Sequence, residues 1–327
     1  MTLGQDTPSL EDSTGQQRFR RRLLNWFDRH KRALPWRENR DPYRVWLSEI
    51  MLQQTRVAAV MDHYQRFLRR FPTIEKLAAA REASVLAAWS GLGYYRRARM
   101  LHAAAKKIVK RGKFPGSAKD LRSLPGIGRY TAAAVASIAF DEPAAVVDGN
   151  VERVLRRVQG KNLAGEGLWL AAEELLDRRR PGDFNQAMME LGATLCSPRQ
   201  PQCLLCPVSA LCATRGELRR TEKPARQKKR EIRYAFACRD GSIFMVKRPQ
   251  KATLMPGMWE FPEISDANGT AAWLTLRHSI TVTDYVVRVM QSPTPEGADG
   301  RWVQKSRVAT LPLTGLARKI LHAARII

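Results

Sequence analysis

Apolar residues recur at three- and four-residue spacings from about residue 19 to residue 213, in segments separated by turns with Pro and Gly at 71–72 and 114–116. Such spacing places apolar side chains on one face of a helix, and Pro and Gly mark the breaks between helices. The sequence therefore predicts an all-α domain over residues 18–218. The polar residues 1–17 are predicted to form a disordered tail.

The pattern changes at residues 219–233, where the sequence RRTEKPARQKKREIR is strongly charged and contains few apolar residues. Charge of this density with a central Pro predicts a basic linker. Such a segment can follow DNA phosphates or serve only as a solvated tether, and its sequence does not choose between the two.

Short runs of β-branched and aromatic residues follow at 234–238, 242–246 and 280–290, each bounded by turn residues. These are strand signals, and they predict a smaller α+β domain over residues 234–327. Cys238 is predicted to be a core residue of the first strand. The fold class is thus multidomain, with an all-α domain followed by an α+β domain.

Charge adds a candidate partner to this picture. The 327 residues include 56 Lys and Arg against 31 Asp and Glu, a formal net charge of +25. A charge of this size favours a polyanionic partner, with nucleic acid as the leading candidate, although it is also compatible with a merely solvated basic surface. No apolar run reaches the ~18 residues of a membrane span, and the first residues do not form an export signal. We therefore expect a soluble, unexported cytoplasmic protein.

Four of the five cysteines lie close together, with the spacing C-x6-C-x2-C-x5-C at Cys196, Cys203, Cys206 and Cys212. An odd cysteine count with this crowding is unlike a secreted disulfide framework and indicates a four-cysteine metal site in a reducing compartment. Zinc and a [4Fe–4S] cluster both accept four thiolates, and the spacing alone leaves both open.

A glycine-containing turn at 124–132, LPGIGRYTA, lies between two helical segments. Gly126 and Gly128 would let backbone N–H groups approach a phosphate at the positive end of the following helix dipole. A dinucleotide-binding loop is a competing interpretation, but no strand precedes the turn and Thr131 stands where Gly or Ala is expected. A plain connector between helices is a third.

Two carboxylates are candidates for a general acid and for a charge that stabilises a cationic transition state. Glu49 shares a helix face with Val45, Trp46 and Leu52, and such apolar company would raise its pKa and keep it protonated. Asp148 directly precedes a helical segment. Taken alone, Glu49 also fits an exposed helix residue and Asp148 an ordinary helix N-cap.

Six segments together resemble MutY-type adenine glycosylases of the helix-hairpin-helix superfamily, and they occur in that family's order. They are SEIMLQQT, GLGYY, LPGIGRYTA, VDGNVERVLRR, FNQAMMELGA and the cysteine loop. The resemblance implies a [4Fe–4S] cluster on the four cysteines and a hairpin that holds DNA through Gly126 and Gly128. It also implies that Glu49 protonates adenine, that Asp148 stabilises or captures the sugar cation, and that Asn150 orients this pair.

Further roles follow from the same resemblance. Bifunctional relatives such as endonuclease III carry a Schiff-base lysine where this chain has Tyr130, which implies a monofunctional glycosylase. Arg37 and Gln186 match adenine-pocket positions, and Gln54 and Tyr94 match wedges near the mismatch. Several basic side chains could neutralise phosphates, and none is assigned individually: Arg96, Arg97, Arg99, Lys106 and Lys107.

The segment MPGMWEFP at 255–262 makes the C-terminal domain similar to the Nudix-like domain with which MutY enzymes inspect the base opposite adenine. The implied partner is double-stranded DNA with an A·8-oxoguanine or A·G mismatch, bound by a monomer. One departure concerns Ile280-Thr281-Val282, where the family typically has Phe-Ser-His. Thr281 keeps a hydroxyl for substrate contact, but the histidine is lost, which predicts a weaker 8-oxoguanine preference or reading through His278 and Ser279.

Two other functions remain compatible with these residues. A thymine glycosylase acting on G·T mismatches would share the cysteine loop and the hairpin tyrosine. A catalytically silent DNA-binding module would share the hairpin, although it would not need both Glu49 and Asp148.

Overall fold

The computed structural model describes residues 10, 12–215, 228–265, 271–280 and 283–327. The helices in these ranges are α1 (Ser13–His30), α2 (Pro42–Leu52), α3 (Val57–Arg70), α4 (Ile74–Ala79), α5 (Glu82–Trp89), α6 (Arg96–Arg111), α7 (Ala118–Leu121), α8 (Arg129–Phe140), α9 (Gly149–Gln159), α10 (Glu166–Leu175), α11 (Pro181–Thr194), α12 (Lys305–Val308) and α13 (Gly315–Ala323). The strands are β1 (Lys228–Phe236), β2 (Cys238–Arg239), β3 (Ser242–Lys247), β4 (Trp259–Glu260), β5 (Leu274–Ile280), β6 (Thr283–Gln291) and β7 (Gly300–Gln304). None of the helices in the described ranges is both long and apolar enough to span a membrane.

The chain folds into two compact units, and neither is continuous in sequence. The first contains residues 1–57 and 104–221, and the second contains residues 58–103 and 222–327. This division differs from the predicted one, because α3, α4 and α5 group with the C-terminal residues. Along the chain, helices are followed by a mixed α and β region, as predicted. The second compact unit nevertheless combines helices from residues 58–103 with the C-terminal strands and helices.

The first unit is built around α8, whose alanine-rich sequence leaves room for close neighbours. At Gly182 a Cβ atom would lie 2.5 Å from the Ser137 carbonyl oxygen and 2.8 Å from Ile138 Cα. Only glycine therefore lets α11 approach the backbone of α8 this closely. Close packing of α11 and α2 on α8 brings their side chains together at one place, where the candidate site lies.

The second unit contains two small sheets. In one, β6 is central, pairing in parallel with β1 and antiparallel with β5; in the other, β3 pairs antiparallel with β2, β4 and β7. Apolar side chains of these strands pack with α13 into one buried cluster that includes Phe236, Ile243, Val289 and Ile320. The predicted strand at 242–246 is confirmed as β3.

Two boundaries differ from the sequence predictions. Residues 13–17 belong to α1, which begins after Asp12 because that side chain accepts a hydrogen bond from the Gly15 amide. Residues 228–233, predicted as linker, lie in β1. Their charges are tolerated because they remain exposed or half-buried, and Glu231 pairs with Arg233 and with Arg288 on the neighbouring strand.

One prediction about a single strand position is also wrong. Cys238 is exposed on the two-residue strand β2 and does not contribute to the core. Most of the strand predicted over 280–290 is confirmed as β6, which begins at Thr283, whereas residue 280 is the last residue of β5. Thr281 and Val282, the predicted opposite-base positions, lie outside the described residues.

Candidate active site

A cavity of about 470 Å³ opens in the first unit, where α2, α8, α9 and α11 approach one another. Its lining includes most of the residues predicted to act on substrate, namely Arg37, Glu49, Gln54, Tyr130, Asp148, Asn150 and Gln186. These residues come from five separate segments of the chain. The fold thus brings these seven residues together in a single concave site.

Glu49 lies on α2, whose first turn is fixed by Pro42 and by the Asp41 side chain, which accepts a hydrogen bond from the Arg44 amide. The Glu49 side chain is buried, with 6% of the residue exposed. Tyr130 on α8 donates a hydrogen bond to its Oε2 at 2.7 Å. The position therefore holds a carboxyl group in a largely apolar setting with one hydroxyl partner.

Burial raises the pKa of Glu49 from its ordinary 4.5 to about 7, and the negative charge of Asp148 acts in the same direction. The hydrogen bond from Tyr130 and the charge of Arg37 lower it, but they do not offset the loss of hydration. Burial likewise raises the pKa of Tyr130 well above its ordinary value, so its hydroxyl stays a donor. Near neutral pH this site contains a protonated carboxyl group able to release its proton.

Asp148 is both a helix cap and a cavity residue. Its Oδ1 accepts hydrogen bonds from the Asn150 and Val151 amides at 2.9 and 2.7 Å, and its Oδ2 accepts one from Asn150 Nδ2 at 3.2 Å. An N-cap places its side-chain carboxyl group at the positive end of a helix, next to the first backbone amides. The two interpretations of Asp148 are therefore compatible, because the cap holds a carboxylate facing the cavity.

The orientation of the Asn150 side chain is fixed by Arg153. Arg153 donates to Asn150 Oδ1 at 2.8 Å, and also to the carbonyl oxygens of Gly192 at 2.6 Å and Cys196 at 2.8 Å. Because the Asn150 oxygen accepts from a guanidinium, its amide nitrogen is the group that faces Asp148. Arg153 thereby ties the start of α9 to α11 and to the cysteine loop.

A buried carboxylate at Glu190 was missed by the sequence analysis. It receives Arg32 Nε at 2.6 Å and Arg37 Nη2 at 2.9 Å, and Arg37 Nε donates to Gln186 Oε1 at 3.1 Å. Glu190 lies one helical turn after Gln186, so the shared face was readable from the i, i+4 spacing. Its two arginine partners lie more than 150 residues away in sequence, which no local pattern shows.

Gly192 is a second residue that the sequence analysis missed. A Cβ atom there would lie 2.6 Å from Asn150 Cβ and 2.9 Å from the Asn150 carbonyl oxygen. Backbone atoms cannot move away cheaply, so glycine is required where α11 crosses the start of α9. Close contact at this point sets the position of Asn150 and, through it, of Asp148.

We expect Gly192→Ala to destabilise the protein by about 1–3 kcal/mol, because the added methyl group overpacks the crossing. The Asp148 carboxyl group should shift as well, since Asn150, which donates to it, is the group displaced. Gly167→Ala is the matched control, as its helical Cβ would meet no atom within 4 Å. The control should be neutral or more stable by up to about 1 kcal/mol. Urea unfolding of both variants checks this, and equal stability would contradict the proposed crossing.

The predicted hairpin is present between α7 and α8. Gly126 has φ +75°, a conformation that side-chain-bearing residues rarely adopt, and Gly128 is the residue before the first turn of α8. Nothing lies within 4 Å of the position of a Gly128 Cβ, and no side chain caps this helix end. The first amides of α8 are therefore accessible to a ligand.

The two predicted wedge residues both have left-handed backbones. Gln54 has φ +56° and is exposed on the lining of the cavity in the first unit. Tyr94 belongs to the second unit, has φ +47° and is 47% exposed. Arg97, expected among the phosphate-neutralising side chains, instead packs over the rings of Trp89 and Tyr94.

The four clustered cysteines line one small cavity between α9, the end of α11 and the loop that follows it. Arg157, which is buried, donates to Cys196 Sγ at 3.3 Å and to the carbonyl oxygens of Ser197 and Pro198. Burial raises the pKa of the Cys206 thiol to about 11. Among the described residues, no three His, Cys, Asp or Glu side chains are arranged closely enough to hold a metal ion. The loop therefore places four thiols around one cavity without the geometry of a formed metal site.

Comparison with known proteins shows the family to which this chain is similar. Residues 47–164 match the family described as HhH-GPD superfamily base excision DNA repair protein. An adenine DNA glycosylase of Arabidopsis thaliana is 41% identical over 332 residues, which cover 86% of this chain and 52% of that protein. The chain thus spans about half the length of this relative.

A second relative is matched over a larger share of its own length. An adenine DNA glycosylase of Buchnera aphidicola subsp. Schizaphis graminum is 34% identical over 269 residues, which cover 78% of each chain. The solved structure of a thermostable thymine-DNA glycosylase is 32% identical with a TM-score of 0.59, covering 63% of this chain and all of that one. These likenesses confirm the predicted fold of a helical glycosylase with a small sheet-containing C-terminal part, and the chain belongs to the MutY-type adenine DNA glycosylase family.

Proposed function

We propose that this protein hydrolyses the N-glycosidic bond of adenine in mispaired DNA. The observation that carries the proposal is the pairing of two carboxyl groups in one cavity. Glu49 is buried and its pKa is raised to about 7, while Asp148 is fixed by two backbone amides at a helix N-terminus. One group is suited to give a proton, and the other to face a positive charge.

In the proposed reaction Glu49 protonates a ring nitrogen of adenine as the bond to C1′ breaks. The bonding electron pair leaves with the base, and the sugar becomes an oxocarbenium-like cation facing Asp148. Asn150 holds the Asp148 carboxylate in place through its amide nitrogen. Water then adds to C1′ and passes its proton to the Glu49 carboxylate, which leaves an abasic site, free adenine and a reprotonated Glu49.

The cavity supports recognition of a base that has left the helix. Arg37 and Gln186 are joined to each other and to the buried Glu190, so their polar groups are held in a fixed arrangement at the cavity wall. A flipped base needs such hydrogen-bond partners because it loses its pairing on extrusion. We assign Arg37 and Gln186 to the edge of adenine, and Gln54 and Tyr94 to the space that the base vacates.

DNA is the proposed partner, held through the hairpin amides at Gly126 and Gly128. The mismatch proposed is A opposite 8-oxoguanine or G, inspected by the C-terminal part of the second unit. The net charge of +25 supports a polyanionic partner, and binding should weaken steeply as salt rises. A monomer is the proposed working form.

The test is release of labelled adenine under single-turnover conditions from duplexes with A opposite 8-oxoguanine, G or T. We expect release from the first two and much slower release from A·T. A G·T duplex belongs in the same panel, because the similar solved structure is named a thymine-DNA glycosylase. Thymine release without adenine release would replace the proposed substrate.

We also propose that Cys196, Cys203, Cys206 and Cys212 hold a [4Fe–4S] cluster. Four thiols around one cavity and membership of the family support this, and the buried Arg157 would offset part of the negative charge of bound thiolates. When bound, the cluster would cross-link the loop and act as a structural staple. Iron and sulfide analysis of purified protein tests it, and zinc without iron would refute the cluster while leaving a four-cysteine site.

The enzyme is expected to lack strand-cleaving lyase activity. Tyr130 has no amine with which to form an imine, and its hydroxyl is committed to Glu49. Abasic DNA should therefore accumulate intact until it is heated in alkali, and borohydride should trap no covalent adduct. Efficient trapping would show that another amine performs this chemistry.

A further inference from the structure

The loop at residues 90–95 in the second unit presents two tyrosines in different settings. Tyr94 is 47% exposed, whereas Tyr95 is 2% exposed. The left-handed backbone of Tyr94 is unfavourable for a bulky residue and must be held by its surroundings. Arg97 provides part of this support, because it packs over the Tyr94 ring and donates to the carbonyl oxygens of Leu92 and Gly93.

The buried side of this loop meets the C-terminal residues of the same unit. The Leu313 carbonyl oxygen accepts hydrogen bonds from Tyr95 Oη at 2.8 Å and Ser90 Oγ at 3.2 Å. Ser90 Oγ in turn accepts from Arg318 Nε at 2.9 Å. Buried hydrogen bonds have defined directions, so this junction fixes how the loop and α13 are oriented.

Helix α13 continues from this junction to the end of strand β5. Lys319 Nζ donates to the Arg277 carbonyl oxygen at 2.6 Å, and a Cβ on Gly315 would lie 4.0 Å from two ring atoms of His278. The buried face of α13 is part of the hydrophobic cluster, and the Thr314 amide donates to the Trp259 carbonyl oxygen. The helix is therefore packed as a rigid body between the loop and β5.

We propose that Ser90, Tyr95 and Arg318 are positioning residues that couple the Tyr94 wedge to the reading of the opposite base at the end of β5. This rests on the proposed function, in which Tyr94 enters the space that adenine vacates and the C-terminal part of the second unit inspects the opposite base. His278 and Ser279 of β5 are the residues that we place near that base. Packed and hydrogen-bonded elements move together. Contacts of the opposite base with β5 and insertion of the Tyr94 wedge would therefore both change the position of α13. Discrimination between 8-oxoguanine and G would then depend on the junction as well as on base contacts.

The test measures the ratio of single-turnover adenine release from A·8-oxoG and A·G duplexes. Tyr95→Phe removes one hydrogen bond to Leu313 and keeps the ring, and Arg318→Gln removes the bond to Ser90. Each should lower the ratio about tenfold, with most of the loss on the A·8-oxoG duplex, as expected for one buried hydrogen bond. Arg307→Gln is the matched control, because it removes the same charge from an exposed position of α12 and should leave the ratio unchanged.

A double-mutant cycle separates coupling from a merely structural role. In a Tyr94→Ala background, Arg318→Gln should change the ratio less than twofold, because the wedge it positions is gone. Fully additive effects in the cycle, or an unchanged ratio in folded Tyr95→Phe and Arg318→Gln, would overturn the coupling. In either case the proposed function still holds if the wild type releases adenine faster from the A·8-oxoG duplex than from the A·G duplex. A wild type that releases no adenine refutes the proposed function and the coupling with it.

Discussion

Glu49→Gln is expected to release adenine about 100- to 10,000-fold more slowly than the wild type, the usual contribution of a general acid. Glutamine keeps the shape and an oxygen to accept the Tyr130 hydrogen bond, but it has no proton to give. Duplex affinity should change little, because the lost interaction belongs to the transition state. Single-turnover rates with excess enzyme measure this, with Glu152→Gln on α9 as the control. A rate within a few-fold of the wild type would remove Glu49 from the proposed role.

The same substitution is expected to stabilise the fold at alkaline pH. The folded Glu49 carboxyl keeps its proton up to about pH 7, whereas an unfolded one loses it near 4.5, so stability falls as pH rises between these values. Above pH 7 the ionised Glu49 lowers the free energy of unfolding by on the order of 3 kcal/mol, and an uncharged glutamine does not have this effect. Urea unfolding should show no difference between variant and wild type near pH 4 and a more stable variant near pH 8. Lower stability at both values would mean that the lost activity reflects damage to the fold.

Cys203→Ser is expected to yield little soluble protein, and what remains should lack iron and activity. A structural metal site can contribute about 10 kcal/mol or more, as much as the whole stability of a typical domain. Loss of the staple would free the loop whose Cys196 carbonyl is bonded to Arg153. Soluble yield, iron content and adenine release measure the effect.

Cys238→Ser is the matched control for this loss. Cys238 is the fifth cysteine, exposed on the short strand β2 of the other unit. Its serine variant should keep wild-type yield, iron and activity. A Cys203→Ser protein with wild-type iron content and activity would show that this cysteine is not a ligand.

Local sequence patterns predicted the parts of this protein that depend on local interactions. The 3.6-residue periodicity predicted that Glu49 lies on a helix beside apolar residues, and the position of Asp148 before a helical segment predicted its capping role. The glycines of the hairpin predicted a turn that opens a helix, and the structure has this turn with Gly126 at φ +75°. In each case the cause lies within a few residues of the feature.

The features that were missed depend on contacts between distant segments. The buried Glu190 carboxylate is paired with Arg32 and Arg37, which lie far from it in sequence. Glycine is required at position 192 only because α9 crosses α11 there. The charged residues 228–233 became a strand through parallel pairing with β6, about 55 residues later. Grouping of residues 58–103 with the C-terminal residues is likewise a property of the fold and not of any local pattern.

The pH dependence of adenine release tests most directly whether a buried, protonated Glu49 removes adenine. Free adenine from an A·8-oxoguanine duplex would be quantified under single-turnover conditions between about pH 6 and pH 9. The pKa of about 7 for Glu49 predicts a level rate below neutrality and a fall approaching tenfold per pH unit above it. A rate that stays level or rises up to the alkaline end, or the absence of free adenine at every pH, would contradict this mechanism.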